Sequence, residues 1–144
     1  MSEKNVSEIY IPRKGKKKKL PFFVTSISAG FPSPADDYID KKLDLNEYLI
    51  KNPSSTFYVR VEGDSMIDAG IHSKDILIVD RSLEPKNKKI ILAILNGEFT
   101  VKRLIKKGKT IALKAENPKY PNIKVKNDMD FQVWGIVTTV IHKV

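Results

Sequence analysis

The turn "GDSMIDAG", Gly63 to Gly70, carries a serine directly after the alternating run "TFYVRVE", and 37 positions beyond Ser65 the segment "EFTVKRL" carries Lys102. Neither a packed core nor an ordinary surface loop requires a serine in a tight, glycine-bounded turn at the end of a strand. Its hydroxyl becomes a useful nucleophile once a neighbouring base removes the proton. A free lysine is a poor base: with a pKa of about 10.4 it is neutral at pH 7 in about one molecule in 2,500, a penalty of roughly 4.6 kcal/mol. Burial lowers a lysine pKa by up to about 3 to 5 units and removes most of that penalty. A desolvated Lys102 can therefore deprotonate a serine.

Whether Lys102 is desolvated depends on the element that holds it. Asn96-Gly97 separates two strand-like runs, "KIILAIL" and "EFTVKRLIKK", and this dipeptide is the strongest short-range signal for a hairpin closed by a type I′ turn. A two-residue turn pairs Leu95 with Glu98, Ala93 with Thr100 and Ile91 with Lys102. Side chains two apart on a strand and directly across it share a face, so Lys102 is expected beside Thr100, Leu104, Ile91 and Ala93, with Thr100 able to orient its amine. On residue type alone, an exposed edge lysine is the plainer reading.

The rest of the chain supplies few competing groups. Its 144 residues contain no cysteine, which removes disulfides, thiolate metal ligands and a cysteine nucleophile, and His72 and His142 are its two imidazoles. His72 lies seven residues from Ser65 with no obvious orienting carboxylate, so it reads as a surface histidine. The length predicts one domain with one core, and 41% hydrophobic with 30% charged residues is an ordinary globular balance. No apolar run reaches the roughly 18 to 20 residues needed to span a bilayer and no signal core precedes the lysines, so the expected location is the cytoplasm.

The net charge of +9 is uneven, because the first twenty residues hold seven lysines and arginines against two acidic residues. A run such as "KGKKKK" can touch phosphates, an acidic partner or solvent alone, and a solvated tail is the commonest case. Beyond it, "LPFFVTSISAGFPSP" can lie extended but is barred from helix by Pro32 and Pro34. Ser33 as a cap, Pro34 at the first position and Asp36 and Asp37 in the first turn then predict one broken helix or two short ones, ending at Asn52-Pro53. From Thr56 onward the patterns are strands: Phe57, Val59 and Val61 in alternation, Ile76 to Val79, the two hairpin arms, a second turn at Lys107 to Lys109, and "FQVWGIVTTVIHKV" as a buried strand. The predicted class is mainly β with a short N-terminal arm and one or two short helices.

Several ordered blocks, "GFPSPADDYID", "LDLNEYLIKNPSSTFYVRVEGDSMIDAGI", "DILIVDRS" and "NGEFTVKRL", resemble the LexA/UmuD family of self-cleaving serine-lysine peptidases, and its UmuD branch more than its LexA branch. The resemblance runs from about Gly30 to the C-terminus. It implies the family's complex β fold, shared with signal peptidases, with Ser65 as nucleophile, Lys102 as general base, and backbone amides of Ser65 and Asp64 around the oxyanion. Asp64 itself is expected to fix the turn, and Met66 to pack against the cleft wall. The family cuts its own chain between Ala or Cys and Gly, and Ala29-Gly30 is the one Ala-Gly ahead of the serine; by itself that dipeptide reads as a flexible joint. Residues 1–29 would then be a flexible basic arm removed by the cut, and 30–144 the peptidase and dimerisation domain. The resemblance further implies a homodimer, stimulation by the RecA filament on single-stranded DNA, and a UmuC-like Y-family polymerase subunit as partner in translesion synthesis. No cofactor and no metal are expected, because a chain without cysteine and with two imidazoles is poorly supplied for metal catalysis.

Some features depart from that pattern. LexA-type repressors place a helical DNA-binding domain before the peptidase, and 29 residues ahead of the expected cut are too short and irregular for one, so sequence-specific DNA binding is not expected. Signal peptidases need a membrane anchor, which is missing. One rival is a non-catalytic dimeric polymerase-binding module on the same fold. A second is a basic single-strand-binding β domain, but Phe57, Phe99 and Trp134 fall on strand positions that read as buried rather than as stacking platforms.

Overall fold

The structure, a computed structural model, describes residues 5–12, 15, 17–23, 29–30 and 39–144. They fall into two compact units, one comprising Met1–Pro12 with Asn52–Val144 and the other Arg13–Lys51. The fold class is mainly β, as the sequence patterns predict.

The larger unit is built on an eight-stranded sheet, in the order β1-β4-β5-β10-β6-β7-β8-β9. Its strands are β1 (Val6–Tyr10), β4 (Thr56–Val61), β5 (Ile76–Asp80), β6 (Ile90–Leu95), β7 (Glu98–Lys107), β8 (Thr110–Lys114), β9 (Ile123–Val125) and β10 (Phe131–Ile141). The β6–β7 hairpin has the expected register, with Leu95 opposite Glu98, Ala93 opposite Thr100 and Ile91 opposite Lys102. Asn96 and Gly97 both take positive φ, 49° and 83°, as a type I′ turn demands.

In place of the single core expected from chain length, two apolar clusters form. Phe57, Val59, Val61, Met66, Ile71, Leu77, Val79, Leu92 and Val101 make one; Ile91, Ala93, Leu95, Leu104, Leu113 and Ile136 make the other. The split follows from the strand period of two: Leu92 and Val101 point to one face of β6 and β7, Ile91 and Leu104 to the other. Phe57 is buried, whereas Phe99 and Trp134 are half-buried and pack against the first cluster. Trp134 meets both phenylalanines edge-on at 4.9 and 6.0 Å, with the Arg81 guanidinium 4.5 Å from its centroid. These rings serve packing.

β10 carries a register shift against β6 at Gly135, where a β-carbon would lie 2.6 Å from Val79 Cγ1 and 3.2 Å from the Asp80 carbonyl oxygen. Gly135→Ala should therefore destabilise the fold by roughly 1–3 kcal/mol through overpacking at a buried branched side chain, a loss that a urea melt would register.

The smaller unit holds β2 (Lys19–Phe23), β3 (Ile39–Asp44) and α1 (Leu45–Leu49). This corrects the helical reading for residues 39–44, which form a strand, while the short helix α1 falls within the stretch read as helical. Leu20 pairs with Leu43 and Phe23 with Ile39, so residues 39–44 find a strand partner far away in sequence that outweighs their local propensity. The helix starts only where Asp44 caps it, accepting from the Asn46 and Glu47 amides at 2.9 and 3.4 Å. The cap read at Ser33 lies outside the described residues. Asp44 also accepts from the Lys18 amide at 2.9 Å, and Lys17 pairs with Glu47 at 2.6 Å. Ala29 and Gly30 form an exposed bend. Among the described residues no helix is long and apolar enough to cross a membrane.

Candidate active site

The serine turn begins where β4 ends. Gly63 and Gly70 take φ of 89° and 82°, backbone that L side chains rarely adopt, which explains the glycines at both boundaries. Between them the chain is tied down from several sides. The Asp64 carbonyl accepts from the Ile67 amide at 3.2 Å and from Asn117 Nδ2 at 2.9 Å. Its side chain accepts from the Tyr120 hydroxyl at 2.6 Å, and the Asp68 amide donates to the Glu116 carbonyl at 2.8 Å. Asp64 thus fixes the turn, and Met66, 2% exposed, anchors it in the first apolar cluster.

Held this way, Ser65 is 2% exposed and Lys102, on β7, is 3% exposed. Lys102 is buried rather than an edge lysine because the hairpin register directs it to the face of Ile91, Ala93 and Leu104. Its Nζ donates to Thr100 Oγ1 at 3.0 Å, to the Val101 carbonyl at 3.3 Å and to Ser65 Oγ at 3.3 Å. The same nitrogen, neutral, can accept the serine proton along the line of that last contact. The two groups thus sit within hydrogen-bond reach of each other inside a buried site.

Asn5 completes the surroundings. It is 3% exposed; its Nδ2 donates to the Val101 carbonyl at 3.1 Å and to Ser65 Oγ at 3.4 Å, while the Val101 amide donates to its Oδ1 at 2.8 Å. Its own carbonyl accepts from the Glu62 amide at 2.9 Å.

His72 does have a carboxylate beside it, that of Asp75, three residues on in the sequence. Asp75, 4% exposed, accepts from the His72 amide at 2.7 Å and meets His142 Nδ1 at 2.6 Å. The two imidazoles lie 4.3 Å apart and tilted by 32°. The ligand atoms of these three residues fall within 4.8 Å of one another. Both Asp75 oxygens already take hydrogen bonds, however, and a 2.6 Å N···O approach is shorter than the about 3.3 Å spacing of ligands around zinc at bonds of about 2.0 Å. The cluster pins the end of β10 to the turn that enters β5. Lys102, not His72, is the group set against Ser65 Oγ.

Residues 21–138 match the protein family described as Peptidase S24-like. The chain belongs to that family. Similar proteins include Protein SamA of Salmonella typhimurium strain LT2, 47% identical over 123 residues that cover 85% of each chain. Protein MucA of Escherichia coli is 42% identical over 120 residues, 83% of this chain and 82% of that one. The LexA repressor of Clostridioides difficile strain 630 is 40% identical over 123 residues, 85% of this chain and 57% of the repressor. The S24-like span contains the serine turn, the β6–β7 hairpin and the Ala29-Gly30 bend.

Sequence reasoning reached Ser65, Lys102, Thr100 and Asp64 in this S24-like site but missed Asn117, Tyr120 and Asn5. "ENPKY" held a signal for the first: an Asx turn ahead of proline, with Asn117 Oδ1 accepting from the Lys119 amide at 3.0 Å. Asn5 lies ahead of the S24-like span, in a stretch whose charges drew attention from its strand-forming Val6, Ile9 and Tyr10.

Proposed function

We propose that this S24-like chain is a serine peptidase that cuts its own Ala29-Gly30 bond. The observation that carries the reading is the buried Ser65–Lys102 pair, with Nζ 3.3 Å from Oγ. Neutral Lys102, oriented by Thr100, takes the proton from Ser65, and Oγ attacks the Ala29 carbonyl carbon. Backbone amides of Ser65 and Asp64 hold the resulting oxyanion. As the C–N bond breaks, the lysine returns its proton to the Gly30 amine, and water then releases the acyl-enzyme with Lys102 again accepting a proton. Ala29 suits a narrow pocket beside the nucleophile, and Gly30 lets the backbone approach closely.

In this reading the protein is a cytoplasmic homodimer whose cutting is promoted by the RecA filament on single-stranded DNA, as part of the SOS response. The shortened form, residues 30–144, is the accessory subunit of a UmuC-like Y-family polymerase in translesion synthesis. Support comes from the family, from the UmuD-like blocks of the sequence and from the similarity to Protein MucA and the LexA repressor.

Intact-mass analysis tests the reading. The purified protein, held at about pH 10, where a larger share of lysine is neutral, and separately at neutral pH with RecA, single-stranded DNA and a nucleotide, should yield a species beginning at Gly30. Because the base must lose its proton first, the rate should climb with pH and level off once Lys102 is neutral. A rate that does not rise with pH removes Lys102 as the base, and an unchanged mass in both conditions favours the non-catalytic polymerase-binding module.

A further inference from the structure

Ser65 and Lys102 are nearly inaccessible, and a residue far from them in sequence helps to close them off. An attacking serine needs the substrate carbonyl carbon about 3–3.5 Å from its oxygen. Asn5 Nδ2 stands 3.4 Å from Ser65 Oγ, within the distance range that carbon must occupy. The same carboxamide engages both main-chain groups of Val101, the residue before Lys102. An extended peptide added to a strand edge uses such N–H and C=O groups, and β8 leaves this part of β7 uncovered, since its pairing begins at Arg103 opposite Lys114. Asn5 therefore fills a place that a bound substrate strand would need.

Asn5 is held there by the strand it heads. In β1, Ile9 pairs with Val59 and Tyr10 with Tyr58, and Val6 packs on the first apolar cluster. Glu8 pairs with Arg60 Nε at 2.8 Å; hydrogen bonds from Tyr10 and then Arg60 hold the Glu8 carboxyl below its ordinary range. We propose that β1 and Asn5 act as an intramolecular competitor for the catalytic cleft: docked, they exclude the scissile carbonyl, and cutting proceeds from the fraction of molecules in which they have withdrawn. This rests on the self-cleaving reading above and assigns the basic arm a role before it is removed. It also explains how a preassembled dyad stays slow, because the observed rate scales with the withdrawn fraction.

The chain has no cysteine, so a single disulfide can lock the strand. In the full-length protein, Glu8→Cys with Arg60→Cys joins directly opposed positions of β1 and β4. Two rates are read in the oxidised and reduced forms: labelling of Ser65 by a fluorophosphonate, with Ser65→Ala as background, and release of the Gly30 product at about pH 10. Oxidation should slow both at least tenfold, and reduction should restore them. Asn5→Ala, without any lock, should raise both several-fold. Equal labelling of the oxidised and reduced forms overturns the proposal. So does slower labelling in Asn5→Ala, which would make Asn5 a support of the nucleophile rather than its obstruction. Labelling that follows the lock while no variant releases the Gly30 product leaves the obstruction standing and removes the self-cleaving reading alone.

Discussion

Ser65→Ala should stay full length under conditions that cut the parent, with a loss of at least about 10³-fold in rate and a thermal midpoint close to the parent's. The hydroxyl is small, and its contacts are to Lys102 and Asn5, so its removal leaves the turn's own hydrogen bonds in place. Lys102→Arg is the sharper test. A guanidinium still donates hydrogen bonds and keeps the charge but does not lose its proton in proteins. If Lys102 acts as the base, the arginine variant stays uncut at about pH 10, where a base of ordinary lysine basicity would begin to function. If Lys102 only holds Ser65 in place, the arginine variant retains measurable cutting with an unchanged pH profile. Circular dichroism of each variant separates loss of chemistry from loss of fold.

Asp80→Ala is expected to be the most destabilising of these substitutions, by roughly 2–4 kcal/mol, because it removes at once the buried carboxylate that accepts four hydrogen bonds. Asp80, 4% exposed, accepts from Asn52 Nδ2 at 2.7 Å, Ser55 Oγ at 2.8 Å, and the Ser82 amide and hydroxyl at 2.8 and 2.7 Å. It lies opposite Thr56 of β4 and Ile136 of β10, so one carboxylate gathers the entry to β4 and the exit from β5. Burial alone would raise its pKa, but the hydrogen bonds from Asn52, Ser82 and Ser55 outweigh it and hold the group below its ordinary 3.8. A carboxyl depressed in the folded state contributes stability that is fully present above its unfolded pKa and is lost as pH falls through the folded value. Urea melts of parent and Asp80→Ala should therefore differ most near neutrality and converge below pH 3.8. A gap that is the same at pH 7 and in acid would assign the effect to packing.

What could be read from the sequence was set locally. Asn96-Gly97 fixes its own turn, the turn fixes the register, and the register carries Lys102 to the apolar face, so three consecutive inferences rest on residues within about one hairpin of each other. The serine turn was legible for the same reason, through its two glycines. β3 was read as helix because Asp36, Asp37 and Pro34 are good helix-start residues, while the pairing of Leu43 with Leu20 leaves no trace in residues 39–44 alone. β1 was missed on similar grounds: its partner, β4, lies about fifty residues away. Asn5 is a small polar residue next to a disfavoured-looking tail, and nothing about its type announces that it will meet Val101.

The position of β10 has a consequence for the timing of synthesis. This strand is the last in chain order, yet it lies in the middle of the sheet, between β5 and β6. Without it the ladder falls into two pieces, β1-β4-β5 and β6-β7-β8-β9, and Ser65 follows a strand of one piece while Lys102 belongs to the other. A chain still emerging from the ribosome has made both residues before it has made the strand that bridges their halves. Long-range pairing of this kind forms late in folding, so Ser65 and Lys102 are brought into register only after β10 is available. On the self-cleaving reading proposed above, the pair that would do the cutting is not assembled until translation has passed β10.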